Sequence, residues 1–150
     1  MNEQYDKGAV VACLNKIIEI ELAGVVRYTH YALMVFGYNR IPIVSWLQAQ
    51  ADESLLHARE AGEMVTHLGG HPSLGIGPLL ETHQHDIGDI LRESLAHERS
   101  ALAIYEELLH MVKDKSVLLE EYARRLIAAE EMHQGEVDKM LRRPGSLAAS

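Results

Sequence analysis

The chain has 150 residues, 22 acidic against 14 basic side chains, nine histidines and a formal net charge of −8, which suits one domain spanning 1–150 with a core of ordinary size. An acidic balance without any Lys/Arg run argues against nucleic acid or an anionic membrane as partner and favours cations. The start MNEQYDKGAV has no basic stretch followed by an apolar one, no 18 apolar residues run together, and the one cysteine, Cys13, permits no internal disulfide, so a cytoplasmic setting without membrane spans is expected.

Proline and glycine fall in few places, aromatic residues are scarce, and Leu, Ala, Glu, Met and Ile are plentiful, which is a helix-forming composition. The spacing predicts four helices over about 9–37, 42–68, 86–112 and 116–142. Gly37 and Asn39 end the first, and Pro42 falls in the first turn of the second, where its missing N–H has no intrahelical partner to lose. Gly69-Gly70 supplies a left-handed cap before Pro72. Asp86 and Ser116 are placed to cap the third and fourth helices. The links within each pair are short, so each pair forms an antiparallel hairpin, while the link 69–85 is long enough to run the length of a helix. Two hairpins joined by one long crossover between helices two and three is the connectivity of the all-α, ferritin-like antiparallel four-helix bundle. The tail LRRPGSLAAS, with Pro144-Gly145 and small residues, reads as a short frayed segment without a fifth helix.

The apolar stripes of these helices are interrupted at similar depth. On the first, Leu14, Ile17, Glu21, Val25, Tyr28, Ala32 and Val35 share one face, with Glu21 in its middle. On the third, Leu91, Leu95, Glu98, Leu102, Tyr105 and Leu109 do the same around Glu98. The fourth places Glu130 and His133 between Leu126 and Val137, and the second offers Glu53 or Ser54 and then His57 between Leu47 and Ala61. One such glutamate alone is a marginal position that snorkels outward, and a single E-x-x-H in a Glu-rich helix arises by chance. Four helices with the same interruption need a shared remedy, because each buried unpaired carboxylate costs several kcal/mol or protonates. A pair of divalent cations among Glu21, Glu53, His57, Glu98, Glu130 and His133 supplies it, since Glu and His three apart lie close enough to converge on one ion.

The segments LNKIIEIEL (14–22) with Tyr28 after it, ESLLHA (53–58), SLAHE (94–98) and EEMH (130–133) give the chain its family likeness: over about residues 10–142 it resembles bacterioferritin. The resemblance implies a di-iron ferroxidase centre in which Glu21 and Glu98 are terminal ligands, His57 and His133 bind one iron each and Glu130 bridges. Tyr28 matches a tyrosine beside that centre and reads equally as a core aromatic with a satisfied hydroxyl or as a redox or supporting residue. The implied activity is oxidation of two Fe(II) ions by O2 or peroxide in a homo-oligomer, at least a dimer, contributing to iron storage. Manganese is an alternative metal.

The pattern departs from the family in three places, the first being the expected lack of the short fifth helix that ferritin-type shells carry. The bridging glutamate of the second helix is expected at 54, where this chain has Ser54 with Glu53 beside it, rotated by one residue's turn. The methionine that holds haem between bacterioferritin subunits falls at Leu55, so haem is not expected there, and Met34 and Met64 are ordinary core residues. A second reading keeps the metals and drops storage: a small dimeric di-iron or di-manganese oxidase or peroxidase resembling rubrerythrin, with its reductant supplied by a partner. The remaining candidates read as structural. Glu60 belongs to a solvated face, His67, His71, His83 and His85 flank the crossover, His97 points away from Glu98, and Trp46 packs in the core or at a dimer interface.

Overall fold

The computed structural model describes residues 5–79 and 82–147. Its elements are α1 (Lys7–Met34), α2 (Arg40–His67), α3 (Ile87–Val112) and α4 (Val117–Leu141), with no strand among the described residues. α1 packs along both α2 and α3, and α3 along α4. Among the described residues no Cα pair of α2 and α4 comes within 8 Å, so these two helices are spaced more widely and meet through long side chains such as Glu60 and Arg125. None of the helices is long and apolar enough to cross a membrane.

Local chemistry sets the ends of the helices. Asp6 accepts a hydrogen bond from the Ala9 N–H at 3.0 Å, which starts α1 at Lys7, ahead of the predicted residue 9. The other end of α1 lies at Met34 and not at Gly37. Arg40 Nη1 donates to the carbonyls of Ala32 (3.2 Å) and Val35 (2.6 Å), so the next helix satisfies oxygens that would otherwise need another turn. α2 therefore begins at Arg40, and Pro42 still falls within its first turn. At its far end Gly69, with φ 78°, donates to the Thr66 carbonyl and Gly70 donates to that of Val65, which is a Schellman cap. Asp86 and Ser116 cap α3 and α4 as expected, through the N–H groups of Gly88 and Leu119.

The crossover is pinned along α1. Ser73 N–H donates to Asn15 Oδ1 (2.8 Å), Ser73 Oγ donates to Glu19 Oε2 (2.6 Å), Gly77 N–H donates to the Glu19 carbonyl (2.8 Å), and Arg27 Nη2 donates to the Pro78 carbonyl (3.4 Å). Gly77 lies so close that a Cβ there would meet the Glu19 backbone at 3.1 Å. The described residues of this link lie on the outside of the bundle, none of them buried.

The interior has three storeys. One end is apolar, built from Leu14, Ile17, Val65, Leu108, Leu119 and Leu126 with the rings of Tyr105 and Tyr122. The opposite end is apolar too, with Tyr28, Tyr31, Val35, Leu47 and Ile90 in one cluster and Leu91, Leu95 and Val137 in another. Between them lie the buried polar side chains of Glu21, Ser54, His57, Glu98 and Glu130.

Candidate metal centre

Each helix brings one turn of its inward stripe to this middle storey. Glu21, Glu98 and Glu130 are only 1–4% exposed and His57 is 6% exposed, so these groups are as deep as the leucines above and below them. Glu21, His57 and Glu130 each offer a donor atom within 4.8 Å of the other two. His57 Nδ1 lies 2.9 Å from Glu21 Oε2 and 3.7 Å from Glu130 Oε1. Across Glu130 stands a second group. His133 Nε2 is 3.7 Å from Glu98 Oε1, and Tyr28 donates its hydroxyl to that same oxygen at 2.6 Å while sitting 3.3 Å from His133 Nε2.

Burial and neighbouring charges shift the acids of this storey in opposite directions. Burial, and then Glu98, Glu21 and Glu53, push the Glu130 carboxyl up to about 12, so it is a neutral acid at neutral pH. Burial acts on Glu98 as well, but the hydrogen bonds from Glu130 and Tyr28 and the charge of His133 outweigh it and hold Glu98 below the usual carboxylate range. Burial raises the Glu21 carboxyl, against the hydrogen bonds of His57 and Tyr105. Burial opposes a charge on His57 too, yet the adjoining Glu21 lifts it above an ordinary imidazole. Glu130 Oε2 is buried and accepts no hydrogen bond among the described residues. Three buried carboxylates, two imidazoles and an orphaned oxygen fit one or two divalent ions of oxygen and nitrogen preference.

A cleft of about 310 Å³ opens from solvent onto this storey between α2 and α4. Ser54, His57, Glu98, Glu130 and His133 line it, with Trp46, Glu53 and Glu136 among its outer residues, while Glu21 lies outside its lining. The structure therefore gathers five of the six predicted donors. Glu53 is not gathered with them. Its side chain is 58% exposed, and its Oε1 lies 3.3 Å from Nε2 of His57, the nitrogen on the far side of the ring from Glu21. The rotation by one residue is enough to leave Glu53 outside the storey. Ser54 takes the inward place, against the bare backbone of α1 at Gly24, where a Cβ would meet Ser54 Oγ at 2.7 Å.

Three neighbours were not assigned from the sequence. Tyr105, counted there as part of an apolar stripe, donates its hydroxyl to Glu21 Oε2 at 2.7 Å. The signal was present, because a buried tyrosine needs a partner for its hydroxyl and Glu21 lies at the same depth. Trp46 stacks on the His133 ring with centroids 5.9 Å apart and planes 5° from parallel, a contact between separate helices that no spacing reveals. On the α1/α3 face the buried Arg27 lies 3.7 Å from Glu93 Oε2 and donates to the Tyr31 hydroxyl (3.1 Å), which in turn donates to Glu93. Glu60, expected on a solvated face, pairs with Arg125 at 2.7 Å.

A family model for the ferritin-like domain matches residues 11–144. Among solved structures, a ferritin-like di-iron-carboxylate protein from Bacillus anthracis superposes with a TM-score of 0.86 at 22% identity, covering 91% of this chain and 98% of that one. A dodecameric, bacterioferritin-related thioferritin from Bacteroides fragilis gives 0.85 at 22% identity, covering 92% and 87%. The bacterioferritin of Desulfovibrio desulfuricans, whose di-iron site was described in several catalytic states, gives 0.77 at 23% identity, covering 89% and 78%. A comparison with curated proteins finds no match.

Proposed function

This chain belongs to the ferritin-like domain family, and from that premise we propose that it binds two Fe(II) ions in its middle storey and oxidises them with dioxygen or peroxide, as a ferroxidase serving iron storage. The observation that carries this reading is the meeting of Glu21, His57 and Glu130 within 4.8 Å in a buried layer, with Glu130 Oε2 left without a partner. Glu21 and Glu98 serve as terminal oxygen donors, His57 and His133 as one nitrogen donor each, and Glu130, which faces both groups, as the bridge. When bound, two ferrous ions supply one electron each, reducing dioxygen to hydrogen peroxide, or peroxide to two waters, with two protons taken up.

The surrounding side chains prepare the donors. Tyr105 and Tyr28 fix the carboxylates of Glu21 and Glu98 by hydrogen bonds, which orients them without neutralising them. Glu53 Oε1 lies 3.3 Å from His57 Nε2 on the outer side of the ring, while Nδ1 faces inward, 2.9 Å from Glu21 Oε2. Glu53 is thus an orienting partner in this reading, not a sixth donor. Burial, and then Glu98, raise the Tyr28 hydroxyl well above its ordinary value, so Tyr28 holds its proton beside Glu98 and His133, where reduced oxygen needs one. Glu53 and Glu136 at the cleft mouth draw cations inward. Leu55 offers haem iron no donor, and haem has no part in this reading. We take the protein to be a homo-oligomer; sedimentation separates a storage shell from a non-storing dimer by mass.

The test is oxygen uptake on adding ferrous iron. The pair Glu130→Ala with His133→Ala is expected to lower uptake to that of iron in buffer alone. Uptake equal to that of the unmodified protein rejects the proposal.

A further inference from the structure

We propose that the two metal positions are unequal, a deep one that keeps its ion and a cleft one that exchanges it, and that Ser54 is the residue responsible. The inference rests on the di-metal reading above and specifies what each position does.

Access separates the two positions first. Of the deep trio His57 and Glu130 reach the cleft but Glu21 does not, whereas at the other position Glu98 and His133 both line it, with Ser54. An ion held by Glu21, His57 and Glu130 lies among groups no more than 6% exposed. An ion held by Glu98 and His133 sits on the cleft wall, beside an imidazole whose side chain is 17% exposed.

Preorganisation separates them further. Glu21, His57 and Glu130 already present donor atoms within 4.8 Å of one another, and among the described residues theirs is the group of three that does so. His57 is braced on its outer nitrogen by Glu53, and Glu21 by Tyr105. Braces of this kind alter metal affinity by about 10–100-fold. At the other position Tyr28 braces Glu98 in the same way, but His133 Nε2 stands 3.7 Å from Glu98 Oε1, against 2.9 Å between His57 Nδ1 and Glu21 Oε2.

Charge completes the argument. Three buried carboxylates carry three negative charges when ionised. The first dication leaves one of these uncompensated, and the second turns the buried cluster net positive. A carboxylate at 54 would have made the second step end at neutrality. Its place borders the cleft, and Ser54 Oγ, pressed toward Gly24, brings no charge to it. The cleft position therefore takes Fe(II) as substrate and releases it, while the deep position retains its ion.

Cobalt(II), which does not react in this way with oxygen, is a suitable probe for calorimetric titration of the metal-free protein. Two binding events are expected, the first at least about tenfold tighter than the second. Trp46 is the sole tryptophan and stacks on His133, so most of the quenching of its emission is expected with the second event. His133→Ala should remove the second event and spare the first, Ser54→Ala should leave both unchanged, and Ser54→Glu should bring the two affinities within about threefold.

Two events of equal affinity overturn the proposal and leave the di-metal reading standing. So does quenching completed by the first event. A loss of the second event in Ser54→Ala would make Ser54 itself a donor and also overturn it. Binding of a single ion, or of none, rejects the di-metal reading and this proposal together. Should Ser54→Glu fail to fold, the unmodified protein, His133→Ala and Ser54→Ala decide the matter.

Discussion

Leu126 and Glu130 lie one turn apart on the inward face of α4, as Ile17 and Glu21 do on α1, and all four are buried. The turn below holds an apolar cluster in which Leu126 and Ile17 touch other leucines, valines and tyrosine rings. The turn above holds carboxylates that share protons and an oxygen without a partner. Burial of a leucine stabilises the fold by about 1.5–3 kcal/mol, whereas burial of a carboxylate opposes folding by several unless it is paired or protonated. Equal depth thus carries opposite signs. The apolar ends hold the helices in register, and that surplus lets the middle storey keep groups that work against the metal-free fold.

Paired substitutions break this contrast if it is wrong. Leu126→Ala leaves a cavity in the apolar end, and a loss of about 2–5 kcal/mol is expected from urea unfolding at unchanged slope. Glu130→Leu removes a buried acid at similar volume. It is expected to raise the stability of the metal-free protein by about 1–4 kcal/mol and to abolish the further stabilisation that divalent metal gives the unmodified chain. Destabilisation by Glu130→Leu comparable to that by Leu126→Ala would mean that the middle storey is held by its own polar contacts, and the contrast would fail.

Both halves of this contrast could be read from the sequence, though not equally well. The four helices and the long crossover were legible because their boundaries depend on local signals, the caps at Asp86 and Ser116 and the Gly69-Gly70 stop. The early end of α1 was not, because it depends on Arg40 reaching back to Ala32 and Val35 from the next helix. In the site, Glu21, His57, Glu98, Glu130 and His133 were legible as breaks in apolar stripes. The outward place of Glu53 was half legible, since Ser54 holds the expected position and Glu53 is rotated by one residue, but whether the helix turns it inward is settled only by packing. Tyr105 and Trp46 escaped for another reason: both serve the apolar pattern and the site at once, and hydropathy sees only the first role.

A graded effect is expected with pH, where each unit changes stability by at most about 1.4 kcal/mol for every proton that only the native state retains. The folded-state value of Glu130 is raised from 4.5 to about 12, so its contribution is complete below pH 4.5 and declines as pH rises above it. Glu21 is raised as well and acts in the same sense. His57, raised from 6.5, contributes fully below that value and loses its contribution as pH climbs through its folded value. Glu98 is lowered, so its contribution is present above 4.5 and is lost only in stronger acid. Between pH 5 and 8 Glu130 therefore sets the slope, with Glu21 and His57 acting in the same sense, and the thermal midpoint of the metal-free protein should fall across that window. Metal reverses the dependence, because the same groups must release their protons to bind it, so the stabilisation by added Co(II) should grow from pH 5 to 8. A metal-free midpoint that rises over this window would mean that Glu130 and Glu21 are ionised in the empty bundle, and the middle storey would then be a paired ionic network and not a set of protonated acids awaiting a cation.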